Sequence, residues 1–237
     1  MPTARGPVPI ARHALVVADG DVPSRAALDA AWPGWDDGVV DVVAADGGFA
    51  RARALGLEVA LLVGDLDSLD PGELAAAEAK ASMPEIRRVP AAKDESDTEL
   101  AILAALERGA SRITLLGAFG GPRLDHALAN VWLLAHPALA DADLLLLDER
   151  TRVSLVSAPG RDGRPVSRPL PGPTGGTVSL LPFAGDVAGL TTHGLRYPLR
   201  DEPLRAGPAR GLSNVREDVD AGLSLRAGRL LVVETAG

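Results

Sequence analysis

The sequence contains no cysteine. Disulfide bonds, thiolate nucleophiles and cysteine-ligated zinc are therefore excluded, and the composition fits a reducing compartment. Long apolar runs are also missing, because no stretch approaches the roughly 20 residues that a membrane-spanning helix needs. No signal-peptide pattern is visible near the N-terminus. We therefore expect a cytoplasmic protein that does not insert into a membrane.

Basic residues are too few to balance the acidic ones. The chain has 24 Lys and Arg against 32 Asp and Glu, which gives a formal net charge of −8. Affinity for nucleic acid comes mainly from Lys and Arg on phosphates, so this charge argues against a nucleic-acid partner. If the substrate is a polyphosphate, a divalent metal must offset the acidic site. The 237 residues, 46% of them hydrophobic, suffice for one large or two small domains with a packed core.

Strand and helix patterns alternate in the first part of the chain. Strands are predicted at residues 13–18, 39–45, 59–63, 86–89, 113–116 and 144–147. Helices are predicted at residues 24–32, 49–55, 97–108 and 125–134, and a further one begins at Pro71. This alternation is typical of an α/β fold, with a mostly parallel sheet and helices on both of its faces.

The pattern changes after Asp148. Short runs of alternating apolar residues follow, separated by turn residues and without a helical period, which predicts a small all-β sandwich or barrel. These runs lie at residues 151–156, 177–182, 189–199 and 223–234. The Pro- and Gly-rich stretch from Ser157 to Gly176 is either a mobile loop or a long hairpin connection. We therefore expect two domains, residues 1–148 and residues 149–237.

The segment Gly64-Asp65-Leu66-Asp67-Ser68 is the first candidate for chemistry, because it follows a predicted buried strand. Side chains two positions apart in an extended segment point the same way, so Asp65 and Asp67 can converge on one hard cation. The alternative is an acidic turn, in which Asp67 or Asp70 caps the next helix.

Acidic residues also follow other predicted strands. The connections from strand to helix lie at the carboxyl edge of a parallel sheet, where open α/β folds bind their ligands. The sequence therefore predicts a metal and phosphate site built from five carboxylates: Asp46, Asp65, Asp67, Asp97 and Asp125. The glycines after Asp46 let backbone amides approach an anion, although a plain tight turn explains them as well. For the acidic neighbours of Asp97, favourable charge at a helix N-terminus is the preferred explanation.

These segments, in this order, resemble the motifs of the thiamine pyrophosphokinase family. The motifs in the first part are Ala45-Asp46-Gly47-Gly48, Gly64-Asp65-Leu66-Asp67-Ser68, Ser96-Asp97-Thr98-Glu99-Leu100-Ala101 and the glycine-rich run from Gly120 to Asn130. Residues 178–182, 191–199 and 211–214 are similar to the family's thiamine-binding domain. The chain departs from the pattern at Phe49-Ala50, after the first motif, and at Pro122, within the glycine-rich loop.

The resemblance implies a reaction in which a pyrophosphoryl group passes from ATP to the hydroxyl of thiamine, with Mg²⁺ as the metal and AMP as the second product. It implies that Mg²⁺ is held by Asp65, Asp67 and Asp97. Asp125 is then expected to accept or orient the proton of the attacking alcohol.

The resemblance also implies the remaining contacts. Nucleotide contacts are expected from Asp46, Gly47, Gly48, Arg51, Thr98 and Arg123, and a further substrate contact, to phosphate, from Lys93. Thiamine is expected at Ser213 and Asn214, which without the resemblance would be an ordinary turn pair. The thiamine pocket is expected to face the α/β domain of a second subunit, which makes the protein a homodimer.

Two other classes of function compete with this one. A strand that ends in Asp-x-Asp also suits a metal-dependent glycosyltransferase or a phosphatase with an aspartate nucleophile. The second class is a thiamine- or nucleotide-binding protein that kept the fold without the activity. Sugar transfer or simple phosphate release would favour the first, and binding without turnover would favour the second.

Overall fold

The structure is a computed structural model, and it describes residues 11–65, 84–90 and 92–236. The chain forms two compact units. The first contains the described parts of residues 1–24 and 36–144, and the second contains residues 25–35 and the described part of residues 145–237.

A parallel sheet forms the centre of the first unit. Its strands are β1 (His13–Val17), β2 (Val39–Ala45), β3 (Leu61–Gly64), β4 (Glu85–Arg88) and β5 (Arg112–Leu116). They lie side by side in the order β5-β1-β2-β3-β4, and each neighbouring pair is parallel. All five residues of β1 are buried, as expected for a parallel strand that is covered on both faces.

The helices are α1 (Arg25–Ala31), α2 (Gly48–Ala54), α3 (Asp97–Glu107) and α4 (Leu124–Leu133), and a 3₁₀ helix follows at Pro137–Asp141. Helix α3 begins at a clear cap, because the Ser96 hydroxyl accepts a hydrogen bond from the Glu99 amide at 3.1 Å. Its buried face is made of small and aliphatic side chains, including Ala101 and Ile102, and packs against β1, β2 and β3. The cap places Asp97 and Thr98 in the first turn of the helix.

The second unit is a sandwich of two antiparallel sheets. Its strands are β7 (Thr151–Ala158), β8 (Val166–Pro169), β9 (Thr177–Pro182), β10 (Val187–His193), β11 (Glu202–Leu204), β12 (Asn214–Val215), β13 (Gly222–Leu225) and β14 (Gly228–Thr235). Strand β6 (Asp143–Leu147) begins in the first unit and ends in the second, where it is antiparallel to β7. One sheet has the order β12-β9-β14-β7, with β6 next to β7. The other sheet has the order β11-β10-β13-β8.

Apolar side chains from both sheets form one core cluster in the second unit. It includes Leu180 from β9, Leu190 from β10, Leu223 from β13 and Leu230 from β14. The members of this cluster alternate along their strands, with Leu223 and Leu225 in β13 and Leu230 and Val232 in β14, as expected for the inner faces of a sandwich. The predicted fold class, a mostly parallel α/β part followed by an all-β sandwich, is therefore confirmed.

The stretch from Ser157 to Gly176 is neither a plain loop nor a plain hairpin connection. It contains β8, which pairs in antiparallel fashion with β13. The partner strand lies about fifty residues further along the chain, so the local sequence, rich in Pro and Gly, does not reveal the pairing. Among the described helices, none is long and apolar enough to cross a membrane.

Candidate active site

A cleft of about 330 Å³ lies in the first unit at the carboxyl ends of its central strands. Strand β1 has β2 on one side and β5 on the other, so the order of the sheet reverses between β1 and β5. Such a reversal leaves a crevice beyond the strand ends, and α/β folds bind ligands there. The cleft is lined by residues 18–20, 45–46, 96–98, 117–118, 120–123, 126–127 and 130.

Backbone rather than side chains forms the wall where the connections after β1 and β5 meet. The Gly20 amide donates to the Gly117 carbonyl at 3.1 Å, and the Asp21 amide donates to the Phe119 carbonyl at 2.8 Å. A Cβ atom on Gly20 would lie 2.3 Å from the Gly117 oxygen, so no larger residue fits. The two connections are thus held together by main-chain hydrogen bonds.

Four of the predicted site residues line this cleft: Asp46, Asp97, Thr98 and Arg123. Asp46 follows β2 directly, with a positive φ of 47°. It packs beside the end of β3, because a Cβ atom on Gly64 would lie 3.1 Å from the Cβ of Asp46. Three further predicted residues, Arg51, Lys93 and Asp125, do not line the cleft themselves, but each forms an ion pair with a residue that does.

The first ion pair joins Arg51 to Asp19, which follows β1. The Arg51 Nε lies 3.6 Å from the Asp19 Oδ1, and the Arg51 Nη2 donates to the Asp19 main-chain oxygen at 3.4 Å. The Asp19 carboxylate lies over Gly47, where a Cβ atom would come within 2.4 Å of Oδ1. Gly48 is equally constrained, since its Cβ would lie 2.0 Å from the Val17 oxygen. The two glycines after Asp46 therefore make room for β1 and for Asp19.

The second ion pair joins Lys93 to Asp97. The Lys93 Nζ donates to the Asp97 Oδ1 at 2.7 Å, and both side chains are partly buried. Asp97 is the first residue of α3, where the positive end of the helix dipole also favours a carboxylate.

The third ion pair joins Arg123 to Asp125 at the start of α4. Arg123 Nε donates to Asp125 Oδ1 at 2.9 Å and Nη2 donates to Oδ2 at 2.6 Å, so the contact is bidentate. The two side chains are 64% and 65% exposed, which leaves both accessible to a ligand. The hydrogen bonds from Arg123 lower the pKa of Asp125 to about 2.

The predicted metal ligands are only partly covered by the structure. Asp65 directly follows β3 and is half buried, whereas Asp67 lies outside the described residues. Within the described ranges, no group of three or more His, Asp or Glu side chains could hold a metal ion. Mg²⁺ is usually held by one or two carboxylates together with substrate phosphates. The donors available here, all carboxylates, fit that hard cation.

Ser213 and Asn214 lie in the second unit, at the start of β12. Ser213 is exposed and has a positive φ of 57°. Asn214 is buried, and its amide binds only main chain: Oδ1 accepts from the amides of Tyr197 at 3.0 Å and Val215 at 2.9 Å, and Nδ2 donates to the Tyr197 carbonyl at 2.8 Å. These bonds show Asn214 fixing the shape of the loop, with Ser213 presented at the surface.

A buried charge network supports the same strand. The Arg216 side chain is 2% exposed, and its Nη2 donates to Glu234 Oε1 at 2.7 Å while its Nε donates to the Leu170 carbonyl at 2.8 Å. Arg152 binds the same carboxylate twice at 2.7 Å and stacks on Trp32, which follows α1, at 5.1 Å. This network, Arg216-Glu234-Arg152, fixes β12 and β14 to the segment after β8.

The lining residues that were absent from the predicted site include Asp19, His126 and Asn130. Asp19 had a signal in the sequence, because it follows the first predicted strand just as Asp46 follows the second. Asn130 is buried and its Nδ2 donates to the Ala118 carbonyl at 2.9 Å, which ties α4 to the connection after β5. That contact joins positions twelve residues apart and has no local signature.

Comparison with known proteins gives consistent matches over both units. The catalytic domain of thiamin pyrophosphokinase matches residues 38–146, and the vitamin B1 binding domain of thiamin pyrophosphokinase matches residues 168–230. The chain is 27% identical over 204 residues to the thiamine pyrophosphokinase of Bacillus subtilis, with 86% of each chain covered. The crystal structure of the Bacillus subtilis enzyme superposes with a TM-score of 0.80 at 24% identity, over 95% of this chain and 99% of that one. The enzyme from Geobacillus thermodenitrificans gives 0.77 at 25% identity, over 95% and 98%.

Proposed function

The chain belongs to the thiamin pyrophosphokinase family, and from this premise we propose that it transfers the pyrophosphoryl group of ATP to the hydroxyl of thiamine. The two matched domains together make up nearly three quarters of the chain, and the assignment makes the protein a thiamine diphosphokinase. The products are thiamine diphosphate, AMP and a proton.

Bond making and breaking both occur at the β-phosphorus in this proposal. The hydroxyl oxygen of thiamine forms a bond to the β-phosphorus of ATP, and the bond from that phosphorus to the oxygen bridging the α-phosphate breaks. The bridging oxygen leaves with AMP, and the hydroxyl proton is released. Because phosphoryl transfer asks little covalent chemistry of a protein, positioning and charge stabilisation supply most of the rate.

The observation that carries the proposal is the set of three ion pairs around the cleft at the β1/β5 reversal. Each pair holds a cation that a phosphate can take over and a carboxylate that is then released. Exposed ion pairs contribute little to stability, so exchanging the partner of Arg51 or Arg123 costs little. We assign Arg123 as the main phosphate contact, because its guanidinium already binds two oxygens in a fork. Arg51 and Lys93 are the second and third.

The nucleotide is cradled by the turn after β2 and by the start of α3 in this proposal. Asp46 lines the cleft at the start of the turn that continues with Gly47 and Gly48, and Thr98 adds a hydroxyl. Asp65, Asp67 and Asp97 would hold Mg²⁺. When bound, the metal would offset the charge of the phosphates and of the acidic cleft.

Asp125 orients the hydroxyl of thiamine rather than acting as a strong base. A carboxylate with a pKa of about 2 is ionised throughout the neutral range and accepts hydrogen bonds readily, but it takes up a proton poorly. Transfer of Arg123 to a phosphate would raise that pKa, because the hydrogen bonds that lower it would be lost.

Thiamine is recognised by the second unit. Ser213 presents its exposed hydroxyl, and Asn214 holds the loop in shape through Tyr197 and Val215. The positive charge of the thiazolium ring suits the acidic character of the chain, whose net charge is −8.

We propose that the active site is completed by a second copy of the chain. Helix α4 exposes an apolar stripe at four-residue spacing, Leu124, Leu128 and Trp132, each more than half exposed. A contiguous apolar patch of this kind marks an interaction surface. The second unit also exposes Tyr197 and Leu212 beside Ser213, and a homodimer would cover both patches.

Mixing two inactive variants tests the shared site. Asp97→Asn disables the first unit, and Ser213→Tyr blocks the surface of the second. If each site combines the first unit of one copy with the second unit of the other, an equal mixture after subunit exchange recovers about a quarter of the full rate. No recovery, despite co-purification of the untagged variant with an affinity-tagged copy of the other, would mean that each copy holds a complete site. If the protein is monomeric at the concentration of the assay, the proposed homodimer is wrong.

Identification of the nucleotide product tests the reaction itself. The protein is incubated with thiamine, ATP and Mg²⁺, and the nucleotides are separated by ion-exchange chromatography. We expect AMP to form only when thiamine is present, in a one-to-one ratio with thiamine diphosphate. ADP as the product, or AMP formation independent of thiamine, would contradict the proposal.

A further inference from the structure

We infer that Asp19 binds the ribose hydroxyls of the nucleotide and thereby selects ribonucleotides over deoxyribonucleotides. This inference rests on the proposed function and adds a specificity-determining residue to it. Asp19 lies at the end of β1, the strand next to the reversal in sheet order, and lines the cleft. It is therefore placed in the crevice where a nucleotide binds.

The main chain on both sides of Asp19 is fixed. The next residue, Gly20, donates its amide to Gly117 at 3.1 Å, and it has no room for a Cβ atom. The preceding residue, Ala18, donates its amide to the Leu116 carbonyl at 2.9 Å. The carboxylate therefore starts from a rigid anchor and loses little conformational freedom when a ligand binds.

The Asp19 side chain is nevertheless open to a ligand. It is 59% exposed. Among the described residues it lies against Gly47, which has no side chain, and against the guanidinium of Arg51. The separation of 3.6 Å between Arg51 Nε and Asp19 Oδ1 is longer than a hydrogen bond. Two carboxylate oxygens offer about four acceptor positions, so most of the acceptor capacity of Asp19 remains available.

The charge of Asp19 decides which part of a nucleotide it faces. A carboxylate repels the phosphates unless a cation stands between them, and the proposed function places Mg²⁺ with Asp65, Asp67 and Asp97 and not with Asp19. The complementary groups are uncharged donors, and a ribose has two neighbouring hydroxyls that can each donate to one carboxylate oxygen. Arg51, beside the same carboxylate, is then directed by it toward the phosphates.

Equilibrium binding tests this inference without turnover. The dissociation constants of ATP, 2′-deoxy-ATP, 3′-deoxy-ATP and 2′,3′-dideoxy-ATP are measured by titration calorimetry with Mg²⁺ and no thiamine. Hydrogen bonds to a charged acceptor predict that ATP binds about ten- to one-hundred-fold more tightly than the dideoxy analogue. In Asp19→Ala this preference should fall to about one, with the affinity for the dideoxy analogue unchanged within about twofold. Asp19→Asn, which keeps an acceptor without the charge, should give an intermediate preference.

Arg51→Gln is the matched comparison, because it alters the partner of Asp19 and leaves the carboxylate. It should weaken all four nucleotides by the same factor and preserve the preference for ATP. If Asp19→Ala also weakens all four equally, Asp19 only positions Arg51 and the inference is overturned. ATP binding without any preference in the unaltered protein overturns the inference alone. No ATP binding at all would overturn both the inference and the proposed function.

Discussion

Two ion pairs, one in each unit, are held in opposite ways. In the first unit, Arg123 and Asp125 bind each other at the surface of a cleft, and both remain accessible. In the second unit, Arg216 and Glu234 bind each other in the interior, with main-chain carbonyls as further partners. The sequence contains the same residue types in both places, and burial decides what they do.

This difference separates charges that can change partners from charges that cannot. An exposed ion pair is easily replaced by contacts to a ligand, since water screens it and compensates for its loss. Removing one member of a buried pair leaves an uncompensated charge in the interior, which is strongly destabilising. We therefore expect substitutions at the cleft to affect turnover and substitutions in the network to affect folding.

Asp97→Asn should show the largest effect and should act on turnover alone. The change keeps the shape of the side chain and removes the charge that the proposal assigns to metal binding. We expect kcat to fall about 10³-fold, comparable to the loss of one main electrostatic contact in other enzymes. Steady-state kinetics gives the rate, and circular dichroism should show an unchanged fold.

Glu99→Gln is the control for Asp97→Asn. Glu99 lies in the same first turn of α3, but its carboxylate is 3.3 Å from the His136 ring instead of in the cleft. Its rate should stay within about threefold of the unaltered protein, as expected for a residue outside the reacting groups. Equal losses of kcat in the two variants would show that the rate depends on negative charge at the start of the helix in general. Asp97 would then have no specific role.

Arg216→Met should have the next largest effect, on folding. The change removes the donor to Glu234 and to the Leu170 carbonyl in the interior of the second unit. We expect a loss of about 3 kcal/mol in the free energy of unfolding, because the buried carboxylate keeps only Arg152 as its partner. Urea denaturation followed by circular dichroism measures it.

Arg123→Met makes the matched change at the cleft. Its denaturation midpoint should not move, whereas the KM for ATP should rise. If the denaturation midpoint of Arg123→Met falls as far as that of Arg216→Met, the exposed ion pair contributes to stability as much as the buried network does. The proposed difference between them is then wrong.

Asn214→Ala should have a smaller effect, which is confined to the binding of thiamine. Loss of the three bonds to Tyr197 and Val215 loosens the loop that presents Ser213. We expect the KM for thiamine to rise about tenfold, as for one or two lost hydrogen bonds, with the KM for ATP unchanged. A parallel rise in both constants would show that the second unit does not act on thiamine separately.

The smallest expected effect is on stability and comes from His13. This residue tests whether burial, and not the unit in which a residue lies, decides how a charge affects stability. It lies in the first unit but is buried, with Nε2 at 2.9 Å from Thr114 Oγ1. Burial lowers the pKa of His13 below its usual value of 6.5. The unfolded chain therefore binds more protons below pH 6.5, so the stability from His13 is complete above that pH and is lost as the pH falls further.

Urea denaturation at pH 7.5 and pH 5.5 checks this expectation. The unaltered protein should lose more stability between the two values than His13→Gln does. Equal losses in the two proteins would remove His13 as a source of the pH dependence.

Much of the fold follows from local sequence. Strand β2 and strand β9 have the predicted bounds, because each is a compact apolar run between turn residues. Helix α3 begins at the predicted residue, since Ser96 and Glu99 specify the cap. Strand β8 was not predicted as a strand, because only its pairing with β13 makes it one.

The candidate site was predictable in its position and less so in its contacts. Acidic residues after strands indicated the carboxyl edge of the sheet, and Asp46 and Asp97 do line one cleft there. The partners of these residues depend on the fold: the contact of Asp19 with Arg51 spans 32 positions in the chain. The structure does not describe Asp67, so its role stays a prediction.

The most direct test of the central claim follows the arginine side chains while a nucleotide binds. The Nε–H signals of ¹⁵N-labelled arginine are recorded before and after addition of Mg²⁺ and α,β-methylene-ATP, which cannot be cleaved at the reacting bond. The account predicts that the signals of Arg51 and Arg123 shift as these side chains exchange carboxylates for phosphates, while those of Arg152 and Arg216 stay in place. Shifts at Arg152 and Arg216, with Arg51 and Arg123 unchanged, would contradict it.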